Sequence, residues 1–143
     1  MNKCITCQVD YYTKSKTSVC CSQHCRVEYK YKKYIELWLE GKMDGKTKGG
    51  NIVEYIRRYF REKYYNSCSA CQWNEKNPFT GEVPLEIDHI NGDKKNNSIN
   101  NLRILCPNCH SLTPTYKGRN TGLVKAYKHI LHDPAYSKHL YKD

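Results

Sequence analysis

From Arg26 to Leu39, apolar and aromatic residues fall at Val27, Tyr31, Tyr34, Ile35, Trp38 and Leu39. This is the three-and-four spacing of one helix face, and Gly41 is placed to stop it. A second stripe runs through Ile52, Val53, Ile56, Phe60 and Tyr64, with Asn51 in the capping position and Arg57, Arg58 and Arg61 largely on the opposite side. The period then changes. Leu85 to Ile90 alternates apolar and polar in the manner of a half-buried strand, Asn91-Gly92 supplies a turn, and Leu102 to Leu105 reads as a second short strand after the polar run from Asp93. Cys106 to Leu112 opens a helix with Pro107 in its first turn, which Thr113-Pro114 cuts short. A last helix is predicted from Leu123 to His132, ended by Pro134. Residues 41–50 hold four of the eight glycines and three lysines, the composition of a flexible linker.

These elements predict a small α+β chain in four parts: a cysteine-pinned knuckle over 1–25, a basic helical region over 26–65, a strand-rich module over 66–116 and a basic helical tail over 117–143. What holds them together is not an ordinary core. Leu, Ile, Val and Phe make up only 26 of the 143 residues, and with a formal charge of +10 that composition would ordinarily describe a disordered chain. Nine cysteines supply the alternative. Their number is odd and the chain opens with no signal-like apolar run, so metal staples are expected rather than disulfides, in a reducing, intracellular setting. No stretch approaches the length of a membrane span.

The charge is unevenly placed. Net charge is +5 over residues 26–65 and +4 over 117–143, but −1 over 66–116, so basic segments flank a nearly neutral one. Lys30, Lys32, Lys33, Arg57, Arg58, Arg61, Lys117 and Arg119 interleave with tyrosines, a mixture suited to phosphate contacts on nucleic acid. Thiolates on two zinc ions would lower the total without abolishing it.

Cys68, Cys71, Cys106 and Cys109 form two CxxC pairs, each able to place two sulfurs on one tetrahedral ion from a tight turn. Four thiolates leave zinc no open position, so this set is scaffold. Cys4, Cys7, Cys21 and Cys25 form a second set, with Cys20 left over and His24 competing for the fourth place. Within the frame of the first set lie Asp88-His89 at a strand end, Asn101 before the next strand and His110 beside Cys109. Neighbouring strand residues point to opposite faces, so one can hold a metal while the other addresses substrate. That division suits phosphodiester hydrolysis, which needs a base near neutrality and a divalent cation. The plainer alternative makes Asp88 a turn cap and His110 a polar helix end. His129, His132 and His139 read as surface or packing residues.

Asp88-His89-Ile90, Asn101-Leu102-Arg103-Ile104-Leu105-Cys106 and Cys109-His110, set inside paired CxxC knuckles, closely resemble the HNH endonuclease family, particularly its zinc-stapled phage and bacterial members. The resemblance covers about residues 66–116. It implies a ββα-metal fold in which Asp88 and His110 hold one divalent ion, His89 is the general base and Asn101 orients its ring. It further implies cleavage of DNA, duplex by expectation, to 5′-phosphate and 3′-hydroxyl ends, with Mg²⁺ as the expected ion and Mn²⁺, Ni²⁺ or Zn²⁺ also compatible with an Asp/His pair. The setting implied is the cytoplasm of a bacterium or a phage-infected cell. Asn96, Asn97 and Asn100 crowd the loop before Asn101, which leaves room for a one-residue shift in the orienting position. The N-terminal set resembles the small zinc fingers at the front of many phage nucleases, for DNA positioning or as a structural cap. The rival to the whole assignment is a catalytically silent, zinc-dependent nucleic-acid-binding protein.

Overall fold

The computed structural model describes residues 1–118, which fall into two units, one of Met1–Met43 and one beginning at Asp44. The helix predicted over 123–132, the tail histidines and Arg119 lie outside the described residues.

In the first unit, strands β1 (Asn2–Lys3) and β2 (Asp10–Tyr11) pair antiparallel around the loop bearing Cys4 and Cys7. Helix α1 (Gln23–Leu39) starts three residues before the predicted Arg26, because Ser22 takes the N-cap and its hydroxyl accepts from the amide of Cys25 at 3.2 Å. Tyr31, Ile35 and Trp38 are its buried stripe. Cys4, Cys20 and Cys25 form a small buried cluster with Tyr11 and Tyr29 against it.

The boundary between the units falls inside the glycine-rich stretch read as a linker, but from Asp44 onward that stretch is folded. Thr47 N–H donates to Asn51 O at 2.8 Å, Val53 N–H to Gly45 O at 3.1 Å, and Lys46 bridges Ile52. The glycines serve a closed turn rather than an open tether, with Gly45 and Gly50 at positive φ. Asn51 is consumed in that turn, so helix α2 (Glu54–Lys63) begins later, at Val53, without a side-chain cap. Its Ile56 and Phe60 are fully buried and pack toward strand β4 (Leu102–Leu105), which pairs antiparallel with β3 (Glu86–His89). In this register Asp88 stands opposite Arg103 and His89 opposite Leu102. Helix α3 (Pro107–Ser111) lies against both strands and ends where Thr113-Pro114 required.

The two units repeat one local device. After Cys4-x-x-Cys7, Gln8 has φ 62°, its amide donates to Cys4 O and the amide of Cys4 to Val9 O. After Cys68-x-x-Cys71, Gln72 has φ 63°, its amide donates to Cys68 O and the amide of Cys68 to Trp73 O. Each turn reverses the chain so that both its sulfurs face one point. The second is then pinned to β4 through Ser69, whose amide and hydroxyl both donate to Ile104 O, at 2.9 and 2.7 Å.

Phe60 fills the centre of the thin apolar layer beside Ile56 and Ile104. Phe60→Ala is expected to destabilise the zinc-loaded protein by about 3–5 kcal/mol in chemical denaturation, whereas Tyr65→Ala, at a side chain 91 % exposed, stays within about 0.5 kcal/mol.

Candidate functional site

Sulfur geometry comes first, because it fixes α3. The Sγ atoms of Cys68, Cys71, Cys106 and Cys109 all lie within 4.8 Å of one another, as do those of Cys4, Cys7, Cys21 and Cys25. Neighbouring sulfurs stand 3.6 Å apart at Cys7–Cys21 and Cys21–Cys25 and 3.8 Å apart at Cys71–Cys106. Thiolates bound to one tetrahedral zinc at about 2.3 Å are about 3.8 Å apart, so both donor sets fit that ion. The fourth place in the first unit belongs to Cys25, not His24, and Cys20 stays outside, buried beside the Thr6 hydroxyl. Backbone amides favour the anionic state at one sulfur of each set, Cys4 and Cys68, while Cys21, Cys25, Cys71 and Cys109 are raised. The amide of Cys7, with that of Cys21 at 3.4 Å, draws the Cys4 thiol down to about 5. Burial raises Cys68, but the amides of Cys106, Cys71 and Ala70 outweigh it and bring the thiol to about 7.

Cys106 is also the N-cap of α3: its sulfur accepts from the Cys109 amide at 3.4 Å, and Pro107 occupies the first turn. His110 therefore sits one residue past a cluster sulfur on a helix that the cluster anchors. Opposite it, β3 presents Asp88. Asp88 Oδ1 and His110 Nε2 are 3.6 Å apart, too far for a hydrogen bond. Two donors held at about 2.1 Å by one ion lie between about 3 and 4 Å apart, so the pair fits a shared divalent cation. The far oxygen, Asp88 Oδ2, accepts from Arg103 Nε at 2.8 Å, and both side chains are almost wholly buried. The far nitrogen, His110 Nδ1, meets Glu86 Oε2 at 2.5 Å. Tyr116 stands edge-on to the His110 ring at 5.2 Å.

Asp88, His89 and His110 line one cavity of about 340 Å³ with Lys94, Thr115 and Lys117. Strand alternation does not send His89 away from Asp88, because His89 is the last residue of β3. Its ring is oriented by Asn97, not by Asn101. His89 Nε2 and Asn97 Oδ1 are 2.7 Å apart, and Asn97 Nδ2 donates to the backbone carbonyl of Asp44 at 3.2 Å. With the amide so placed, Oδ1 can only accept, so Nε2 carries the proton and Nδ1 keeps its lone pair. Asn101 instead closes the loop between the strands: Oδ1 accepts from Asn91 N at 3.1 Å and Nδ2 donates to Asn96 O at 2.8 Å. The motif named Asn101 for this role, and the structure puts Asn97 there instead, because the choice depends on the turn that brings Asp44 to Asn97.

The basic residues divide. Lys30 and Lys32 are exposed on α1, and Lys117 borders the cavity. Lys33 pairs with Glu36 at 3.0 Å, whose carboxylate raises the lysine pKa. Arg57 stands 3.8 Å from Glu54, and Arg58 is 2.7 Å from Glu62. Arg61 is an internal strut, donating to Asn66 Oδ1 at 2.7 Å and Val83 O at 3.2 Å. Glu86, Arg103 and Asp44 were missed by motif reading. Strand alternation places Glu86 on the face of Asp88, and an arginine inside a fully buried strand demands a carboxylate partner.

Comparison with known proteins agrees with the motif. Residues 78–111, which hold β3, β4 and α3, match the HNH endonuclease family. A 56-residue stretch is 46 % identical to H-N-H endonuclease F-TflIV of Escherichia phage T5, a match over 39 % of this chain and 22 % of that protein. Among solved structures, the Type IV phosphorothioation-dependent restriction endonuclease ScoMcrA is similar at 23 % identity and a TM-score of 0.41, over 75 % of this chain and 24 % of that one. The chain thus spans about a fifth to a quarter of the lengths of these relatives.

Zinc content measured by elemental analysis is expected to be two ions per chain. Cys7→Ser or Cys71→Ser should each lose about one, whereas Cys20→Ser and His24→Ala should lose none. In activity assays Asn97→Ala should lower turnover by roughly 10–100-fold, and Asn101→Ala should act mainly on stability, by about 1–3 kcal/mol.

Proposed function

We propose that this protein is a metal-dependent DNA endonuclease that hydrolyses phosphodiester bonds by the one-metal HNH route. The observation that carries the reading is the convergence of an Asp/His donor pair and an amide-oriented imidazole on one cavity, within the segment that matches the family. A bound divalent cation, Mg²⁺ by preference, would neutralise charge on the phosphate and its leaving oxygen. Asp88 and His110 would hold it, with Arg103 fixing the aspartate in place through Oδ2.

His89 is the general base. Asn97 holds the ring with Nε2–H turned away, so Nδ1 takes a proton from water as the oxygen attacks phosphorus in line. The bond to the 3′ oxygen breaks as the new bond forms, and the departing oxygen takes a proton from solvent water, leaving 5′-phosphate and 3′-hydroxyl ends. Lys94 and Lys117 at the cavity rim meet the flanking phosphates, and Lys30 and Lys32 on α1 add backbone contacts to duplex DNA. The engaged arginines of α2 contribute less. The two cysteine sets carry structural zinc and take no part in the chemistry. The phage relative supports a place of action in the cytoplasm of an infected bacterium. Among the described residues no helix is long and apolar enough to cross a membrane.

Incubation of supercoiled plasmid with the zinc-loaded protein and Mg²⁺ or Mn²⁺ is expected to give open-circle or linear DNA. His89→Ala should abolish conversion while retaining both zinc ions and DNA affinity. Affinity itself should fall steeply between about 50 and 200 mM salt as counterions are released. Binding without conversion across several divalent metals would replace this reading with that of a zinc-stapled nucleic-acid binder.

A further inference from the structure

We propose that Glu86 and Arg103 are positioning residues that lock the two ion-holding side chains so that each presents one atom and hides the other. The inference rests on the assignment of Asp88 and His110 as the ion-holding pair, and it explains why that pair does not close on itself.

An aspartate and a neutral imidazole side by side have an easier option than waiting for a cation. The ring can put its proton on Nε2 and donate to the carboxylate, which satisfies both groups. Here that option is blocked from both sides. Strand alternation sets Glu86 on the same face of β3 as Asp88, and Glu86 Oε2 meets His110 Nδ1 at 2.5 Å. A carboxylate oxygen accepts, so the ring proton is drawn to Nδ1 and the Nε2 lone pair turns toward Asp88. Across the strand pair, Arg103 Nε donates to Asp88 Oδ2 at 2.8 Å and leaves Oδ1 as the near atom. The two remaining atoms, Oδ1 and Nε2, both offer lone pairs across 3.6 Å. Two acceptors facing each other repel, and a cation between them relieves that repulsion. The groups also sum to a single negative charge, since Glu86 and Asp88 are offset by one guanidinium. Among the other residues lining the cavity, Lys94 and Lys117 supply positive charge suited to phosphate.

Glu86 is the member to test, because its side chain is 55 % exposed and its replacement leaves the core intact. The full chain with both zinc sites filled and histidines labelled with ¹⁵N is examined at pH 8 without other divalent ions. Two-bond proton–nitrogen spectra should show His110 protonated on Nδ1, with the signal assigned by its loss in His110→Asn. In Glu86→Ala the proton should move to Nε2, and Mn²⁺ affinity followed by electron paramagnetic resonance should weaken about 10–100-fold. Glu86→Gln keeps an accepting oxygen, so it should retain the Nδ1 proton and lose less than about 10-fold. Arg103→Lys, which keeps the charge but displaces the donor, should weaken Mn²⁺ with the His110 tautomer unchanged. Thermal melts verify that each variant is folded.

A wild-type His110 protonated on Nε2 overturns the proposal. A Glu86→Gln loss as deep as that of Glu86→Ala also overturns it, because Glu86 would then be a direct ligand. Unchanged Mn²⁺ affinity in Arg103→Lys removes the arginine from it. If the tautomer and affinity pattern appears but no form converts plasmid DNA with Mn²⁺, the positioning stands and the nuclease assignment falls.

Discussion

Four sulfurs converging on one point are the constraint on which the second unit depends. Its apolar layer is a few side chains deep, centred on Ile56, Phe60, Ile104 and Leu105, too little to define the angle of a five-residue helix by packing alone. The sulfur cluster defines it instead. Cys106 follows β4 directly and caps α3, Cys109 lies one residue before His110, and Cys68 is joined to β4 through Ser69. With an ion on the four sulfurs, the His110 ring would be positioned by coordination distances acting through a single intervening peptide.

The same turn appears in both units, down to the two backbone hydrogen bonds and a left-handed glutamine after the second cysteine. A non-glycine residue in that region costs about 1 kcal/mol. The cost is accepted because the reversal brings both sulfurs to one side and turns backbone amides toward them. In the first unit the sulfur set closes on the start of α1 through Cys25; in the second it closes on α3 through Cys106 and Cys109. Similar knuckles thus carry different surroundings, and what differs is the segment each one closes upon.

The sequence was most informative where a residue's surroundings are local. Period-two alternation gave β3, the Pro107 position gave the start of α3, and Thr113-Pro114 gave its end. CxxC spacing gave the sulfur groups, and the motif residues Asp88, His89 and His110 do line one cavity. The misreadings share another cause. Residues 41–50 hold the boundary between the units, yet from Gly45 their glycines supply the positive φ of a closed turn rather than a loose tether. Asn51 looked like a helix cap but is held in that turn, its amide donating to the Thr47 hydroxyl. Asn97 and Asn101 are chemically identical, and only the fold shows which of them meets His89. Arg61 reads as surface charge until Asn66 and Val83 O are seen to hold it. Each depends on a partner that composition and periodicity do not identify.

The carbonyl of Asp44 has a consequence for how much chain a working module requires. The family match begins at residue 78 and the motif resemblance at about 66, so a fragment cut at either point would contain Asp88, His89 and His110. It would not contain the oxygen that receives Asn97 Nδ2. The contact that turns the asparagine nitrogen away from His89 and its oxygen toward the ring would then be lost. The smallest excisable portion that preserves this arrangement starts no later than Asp44, some thirty residues upstream of where homology alone would place the scissors.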